Sequence, residues 1–190
     1  MIDTTMEFLV RALNAYLRQR LSAEEDLARL ASPAPLQGGS TEEIEDKLLI
    51  TLVNLEREGI ARNASQTTRP QGDGYVRVPQ PLNINLIFMA SARFQDKYAT
   101  GLKVLGNVVG FFQANPLFTP QSHPELPPHL QRLSVEWREM DLQAMHNLWS
   151  AMGSNYMPSA VYKARMLVVE DYLTGPEVTD ITGIATEAAQ

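Results

Sequence analysis

From Asp3 to Leu21 the apolar residues Met6, Leu9, Val10, Leu13, Leu17 and Leu21 recur at three- and four-residue intervals, the spacing of one helical face. Asp3, Thr4 and Thr5 precede the stripe as candidate N-caps. Arg11, Arg18 and Arg20 fall mainly off the stripe, with Glu7 one turn before Arg11, the pattern of a solvated face with helical ion pairs. Ser22 to Thr41 contains SPAP and QGGS, which read as loop, and Ser22 is placed to cap a short helical turn through AEEDLARL. Ile44 to Leu55 is dense in aliphatic residues, with clean alternation only from Thr51 to Leu55, so it reads as a strand with an edge-like start. Ile60 to Pro79, rich in Asn, Ser, Thr, Gln, Gly and Pro, reads as a long polar loop.

The second half of the chain is more regular. Leu82, Ile84, Leu86, Phe88 and Ala90 alternate with Asn83, Asn85, Ile87, Met89 and Ser91, a strand that should bury its even positions and turn Asn83 and Asn85 outward. Tyr98 to Phe112 reads as a helix with Tyr98, Leu102, Leu105, Val108, Val109 and Phe112 on its apolar side. Gly106 and Gly110 suggest close packing of this helix on the sheet, because Lys103 and the short apolar run argue against a membrane helix pair. A third strand points Leu133, Val135 and Trp137 inward and Ser134, Glu136 and Arg138 outward. A helix with Leu142, Met145, Leu148, Trp149 and Met152 on one face then stops at Gly153, a residue that tolerates the left-handed conformation. After Pro158 a fourth strand sets Tyr162, Ala164, Met166 and Val168 against Lys163 and Arg165. The order helix, strand, strand, helix, strand, helix, strand predicts an α/β (α+β) domain over residues 1–173. Its sheet should be mixed or antiparallel, of about four strands, with helices packed on one face. Residues 174–190 have no amphipathic period and read as a tail, flexible or ordered by a neighbouring subunit.

A chain of 190 residues with 44% hydrophobic content supports one core. Its net charge of -6, with 16 basic residues scattered among 22 acidic ones, opposes a nucleic-acid partner. There is no cysteine, which fits a reducing, cytoplasmic setting. No basic region precedes an apolar run at the N-terminus, and no stretch approaches the roughly 20 apolar residues of a membrane span, so neither secretion by signal peptide nor membrane insertion is expected. Asn63-Ala64-Ser65 matches a glycosylation acceptor that this setting would leave unused, and Gly72-Asp73-Gly74 is a turn signal without the lysine of a phosphate loop.

Chemistry-bearing patterns are sparse. His123, Glu125 and His129 are spread across several prolines and match no metal-ligand spacing, and His146 sits beside a helical apolar face. There is no paired-carboxylate, Ser-His-Asp, Cys-His or phosphate-loop signature, so neither an enzyme nor a cofactor or metal site is expected. Partner-binding candidates remain. Phe118 and Pro120 lie on the proline-rich run NPLFTPQSHPELPP, where Phe118 either docks on a partner or closes its own core. Tyr156 and Met157 occupy the stiff, uncharged turn before Pro158. Lys163 and Arg165 sit in mid-strand, either as a half-solvated face paired with Glu136 or as an interface with a neighbouring subunit.

Three segments carry a resemblance: the opening MIDTTMEFLVRALNAYL, the run FFQANPLFTPQSHPEL, and the corner LWSAMGSNYMPS followed by the strand YKARML. In the same order, they resemble the tail-terminator (cap) proteins of phage-tail-like contractile injection systems. The resemblance covers about Met1 to Glu170, most of the single domain expected from length. It implies a phage tail-terminator-like fold and a ring, a hexamer, on the distal end of the inner tube and sheath, ending tube growth and stabilising the sheath. Its partners would be other copies of the chain and the tube and sheath proteins, within a particle assembled in the cytoplasm. The alternative is an adaptor that links the particle to a membrane or another component through residues 60–79 or the C-terminal tail. Longer members of that family carry sequence after this domain, whose role does not transfer.

Overall fold

The computed structural model describes residues 1–34, 44–57, 68–71, 74–77 and 83–168. The tail read at 174–190, the acceptor at Asn63 and the turn residues Gly72 and Asp73 lie outside them.

Helix α1 (Ile2–Leu21) buries Met6, Leu9, Leu13 and Leu17 as the spacing requires, and adds Thr5, Phe8 and Asn14. None of the candidate N-caps acts as one: Met1 occupies the cap position, and the hydroxyls of Thr4 and Thr5 donate to its carbonyl at 2.9 and 2.8 Å. Ser22 ends α1 in the left-handed conformation, φ 51°. The expected helical turn beyond it is instead a strand, β1 (Ala28–Leu30), running parallel to β2 (Lys47–Arg57). The cause is Asn14. Its side chain donates to the Ala28 carbonyl at 2.9 Å and accepts the Ala28 N–H at 2.8 Å, so a helix side chain stands in for the neighbour that the outer edge of β1 lacks.

β2 is not edge-like at its start. Leu48 to Thr51 are its most buried residues, because β1 and β5 (Asn83–Arg93) flank them, while Leu55 beyond a register shift at Leu52/Asn54 is exposed. Two short strands, β3 (Thr68–Gln71) and β4 (Gly74–Arg77), pair antiparallel as a separate sheet inside the stretch read as a loop. β5 pairs antiparallel with β2 and with β8 (Ser159–Val168), and β8 pairs with β7 (Leu130–Trp137). The two-residue β6 (Leu117–Phe118) closes the far edge, giving one mixed sheet in the order β1-β2-β5-β8-β7-β6. The six strands replace the expected four. The two additions, three and two residues long, are too short for a period to register in sequence.

Helices cover both faces, not one. α1 and α2 (Tyr98–Ala114) bury Leu86, Phe88, Ala90, Tyr162, Ala164 and Met166 in the main core. α3 (Leu142–Ala151) lays Trp149 over Ile87, Met89 and Val161 on the opposite face. β5 is therefore buried on both sides, and Asn85, expected to face solvent, is 2% exposed. α2 is rotated from its expected face: Gly101, Val104, Val108, Phe111 and Phe112 are buried, while Tyr98 and Leu102 are exposed. Gly101 sets this rotation, since a Cβ there would lie 3.1 Å from the Phe94 ring. Gly106 and Gly110 point away from the sheet, with nothing within 4 Å of a Cβ at Gly106. Trp137 pairs with Tyr162 in register but lies at a strand end past the helices, and it is exposed although Leu133 and Val135 are buried. α3 begins on the Asp141 cap, which accepts the Ala144 N–H at 2.7 Å, and the chain leaves it through Gly153 at φ 64°.

Asn14→Leu should leave the Ala28 N–H and C=O buried and unpaired, lowering stability by about 1–3 kcal/mol. Denaturant unfolding of the two chains measures this, and an unchanged midpoint would show that Asn14 does not hold β1.

His129 is buried with its Nε2 3.5 Å from the Thr5 hydroxyl. Burial, and after it the nearby N-terminal ammonium, hold its pKa below the ordinary 6.5. The unfolded chain thus takes up a proton that the fold resists, so the stabilisation is complete above the unfolded value and is lost as pH falls through the folded one. The melting temperature should fall as pH drops below about 6.5, and His129→Gln should flatten that slope. Equal slopes in the two chains would remove His129 as the cause.

Candidate partner-binding surfaces

β8 carries the basic pair because its alternation puts Tyr162, Ala164 and Met166 into the main core and Lys163 and Arg165 on the other face. α3 covers only one end of that face, over Met89 and Val161. Beyond it the sheet is roofed by charged side chains. Arg165 meets Glu136 of β7 at 2.8 Å, and Lys163 approaches Glu56 of β2 at 4.0 Å. Arg138 reaches Glu56 at 2.6 Å. Glu56 lies on β2 and Arg138 just past the end of β7, strands separated by β5 and β8, so this pair needs a curled sheet. Asn85 lies in register between Glu56 and Arg165, which explains its burial under long polar stems. Its Oδ1 finds no hydrogen-bond partner among the described residues. These pairs are mostly solvent-exposed, each worth about 0–1 kcal/mol, so their contribution to stability is small.

The other candidates separate. Phe118 is fully buried: its ring lies 5.5 Å from Phe8, 6.2 Å from Phe111 and 4.8 Å from His123, while β6 pairs it with Leu133. Between the two readings open for Phe118, the geometry takes the core one, and the ring is not presented to a partner. Pro120 beside it is exposed, in a turn held by Thr119 and Ser122. At the corner, Tyr156 is 67% exposed with its ring edge on Trp149, while Met157 is half-buried against the second core cluster. Tyr156, Met157, Lys163 and Arg165 thus share the α3 side of the sheet; Phe118 does not join them.

Sequence reasoning missed Glu56 and Arg138, each of which looks like ordinary surface charge until the sheet brings them together. It also assigned Leu142 to the buried face of α3, whereas Leu142 is 91% exposed. A cleft beside it is lined by Trp137, Met140, Met145 and Val161. Burial pushes the Tyr162 phenol upward, in the core and away from every candidate surface.

The model of the family described as Pvc16 N-terminal domain matches residues 4–180. The chain belongs to this family. No curated protein matches this Pvc16 N-terminal domain in sequence. Among solved structures it is similar to the sheath/tube terminator of an extracellular contractile injection system, in the extended state. That match has a TM-score of 0.59 and 15% identity, and covers 100% of this chain and 64% of the other. It is also similar to the tube-terminating cap of the anti-feeding prophage, at a TM-score of 0.57 and 14% identity, covering 98% of this chain and 60% of the cap. The likeness establishes the α+β fold, and this domain spans less than two thirds of either neighbour.

Lys163→Glu combined with Arg165→Glu places acids beside Glu56 and Glu136. The loss of exposed pairs should cost the isolated domain no more than about 1 kcal/mol each, while like charge at a docking surface is far more costly. We expect the domain to stay folded, read by thermal melting, and to lose any attachment made through this face, read by co-sedimentation. Normal attachment would make this face merely solvated.

Proposed function

We propose that this domain caps the distal end of the inner tube and sheath of a contractile injection particle. In this reading it acts as a ring of copies, a hexamer, that ends tube growth and steadies the last sheath layer. The observation that supports the reading most is that two tube-terminating proteins match over 100% and 98% of the chain, in agreement with the family. A growing tube offers the same polymerising surface after each layer. A finite particle requires something that binds that surface without recreating it, and a ring with one docking face does so. The sheet has the means to take part in a ring. Its edges are closed by very short strands, which blunt uncontrolled strand addition, so copies would meet through side-chain surfaces. Lys163, Arg165, Tyr156, Met157 and Pro120 are candidates for those surfaces, the first four on the α3 side. No catalytic role is proposed, in line with neighbours that are capping proteins. No helix among the described residues is long and apolar enough to cross a membrane. Assembly in the cytoplasm is part of the proposal.

Removing the protein should leave tubes of irregular length with missing or unstable sheath, while the baseplate at the other end still forms. Electron microscopy of deletion and complemented strains gives the distribution of lengths and sheath occupancy. Uniform, sheathed particles without the protein would sink the reading, and a label found at the baseplate would favour an adaptor.

A further inference from the structure

We propose that the four half-buried methionines at the two ends of α3 form a site of reversible oxidation by peroxide, and that only their thioether form keeps α3 on the sheet. The proposal concerns the domain by itself and does not rest on the ring reading.

Five of the chain's eight methionines belong to the second core cluster. Met89 is fully buried in it, whereas Met140, Met145, Met152 and Met157 are half-buried and packed against it. These four divide between the ends of the helix. Asp141 is the N-cap, so Met140 just before it and Met145 at the fourth helical position stand where an apolar pair staples a helix start to the incoming chain. Met152 is the C-cap, and Met157 follows at the corner beyond Gly153. Between them α3 has one fully buried residue, Trp149, whose Nε1 has no hydrogen-bond partner among the described residues. A helix of 10 residues is too short to hold by itself, so packing of Trp149 and its thioether neighbours must hold it.

The same sulfurs are within reach of a small oxidant. Met140 and Met145 line a cleft of about 390 Å³, where the Ser159 hydroxyl donates to Met145 Sδ at 3.7 Å. Hydrogen peroxide is little larger than water, whose share of liquid volume is about 30 Å³. The chain has no cysteine to react first. In the reaction a thioether lone pair forms the S–O bond, the peroxide O–O bond breaks, and the second oxygen leaves as water after a proton shift. Sulfur loses two electrons and the peroxide gains them. The product sulfoxide is polar and chiral, and it disrupts methionine-rich packing. Oxidation at both ends of α3 removes the staple and the C-terminal contact together, freeing Trp149 and with it Tyr156, whose ring edge rests on the indole. β5 and β8 stay held by the main core, where Met166, like Met6, is 2% exposed.

The full-length wild-type chain is treated with dilute hydrogen peroxide and mapped by peptide mass spectrometry. Met140, Met145, Met152 and Met157 should gain oxygen at least about tenfold sooner than Met6, Met89 and Met166, with exposed Met1 as the freely accessible reference. Trp137 is exposed, and Trp137→Phe leaves Trp149 as the one tryptophan. On oxidation its emission should move to longer wavelength, hydrogen exchange should rise in α3 and stay slow in β5 and β8, and the melting temperature should drop by about 4 °C or more. Methionine sulfoxide reductases for both epimers should reverse all of this. Met140→Leu, Met145→Leu, Met152→Leu and Met157→Leu combined should fold, since the swap nearly conserves volume, and should abolish the response. Oxidation of Met6, Met89 and Met166 in step with the four would show general unfolding and overturn the proposal. Oxidation of the four with Trp149 emission and α3 exchange unchanged would overturn it as well, as would a full response in the leucine variant.

Discussion

The middle strand β5 is covered on both faces, and this constraint organises the domain. Leu86, Phe88 and Ala90 need one apolar cover, and Ile87 and Met89, one residue out of phase, need another. A single layer of helices satisfies only the first set. The chain therefore puts α1 and α2 on one face and returns α3 to the other, where Trp149 buries Ile87, Met89 and Val161. Fully burying such side chains contributes about 1.5–3 kcal/mol each, more than any surface ion pair in the molecule supplies. The corner at Gly153 follows, because α3 must reverse sharply to feed β8 back beside β5.

Coverage of the second face is incomplete, and that gives the domain its distinctive surface. α3 spans 10 residues, so the β5 and β8 positions beyond its reach need another cover. Long charged stems supply it: Glu56, Arg138, Lys163 and Arg165 lie over Asn85, paired among themselves and with Glu136. Such a roof adds little to stability but holds a fixed charge pattern on a rigid sheet. The free flank of α2 has a comparable origin. α2 packs with Gly101 close against Phe94, and its apolar stripe is wider than the sheet covers, leaving Tyr98 and Leu102 outside.

These features suit a component that must meet other protein surfaces without opening. The two short outer strands, with Asn14 satisfying Ala28, blunt the sheet edges, and the charged roof gives the α3 side a surface unlike the α1–α2 side. The chain belongs to the Pvc16 N-terminal domain family.

The sequence by itself determined the elements with a strong local period. The α1 stripe from Met6 to Leu17, the alternation of β5 and β8, and the α3 stop at Gly153 all stand where the spacing put them. Local patterns carry this information because each is set by residues within a few positions of one another. Lys163 and Arg165 were legible as a basic face opposite the core, with Glu136 as a partner for one of them, for the same reason. The rest depended on contacts distant in sequence. β1 exists because Asn14 reaches Ala28, and Phe118 is buried because Phe8 and Phe111 close over it. Asn85 is covered because Glu56 and Arg165 flank it, and α2 is rotated because Gly101 approaches Phe94. Periodicity assigns a residue to a face, but only the packed structure decides whether that face is covered, and by what.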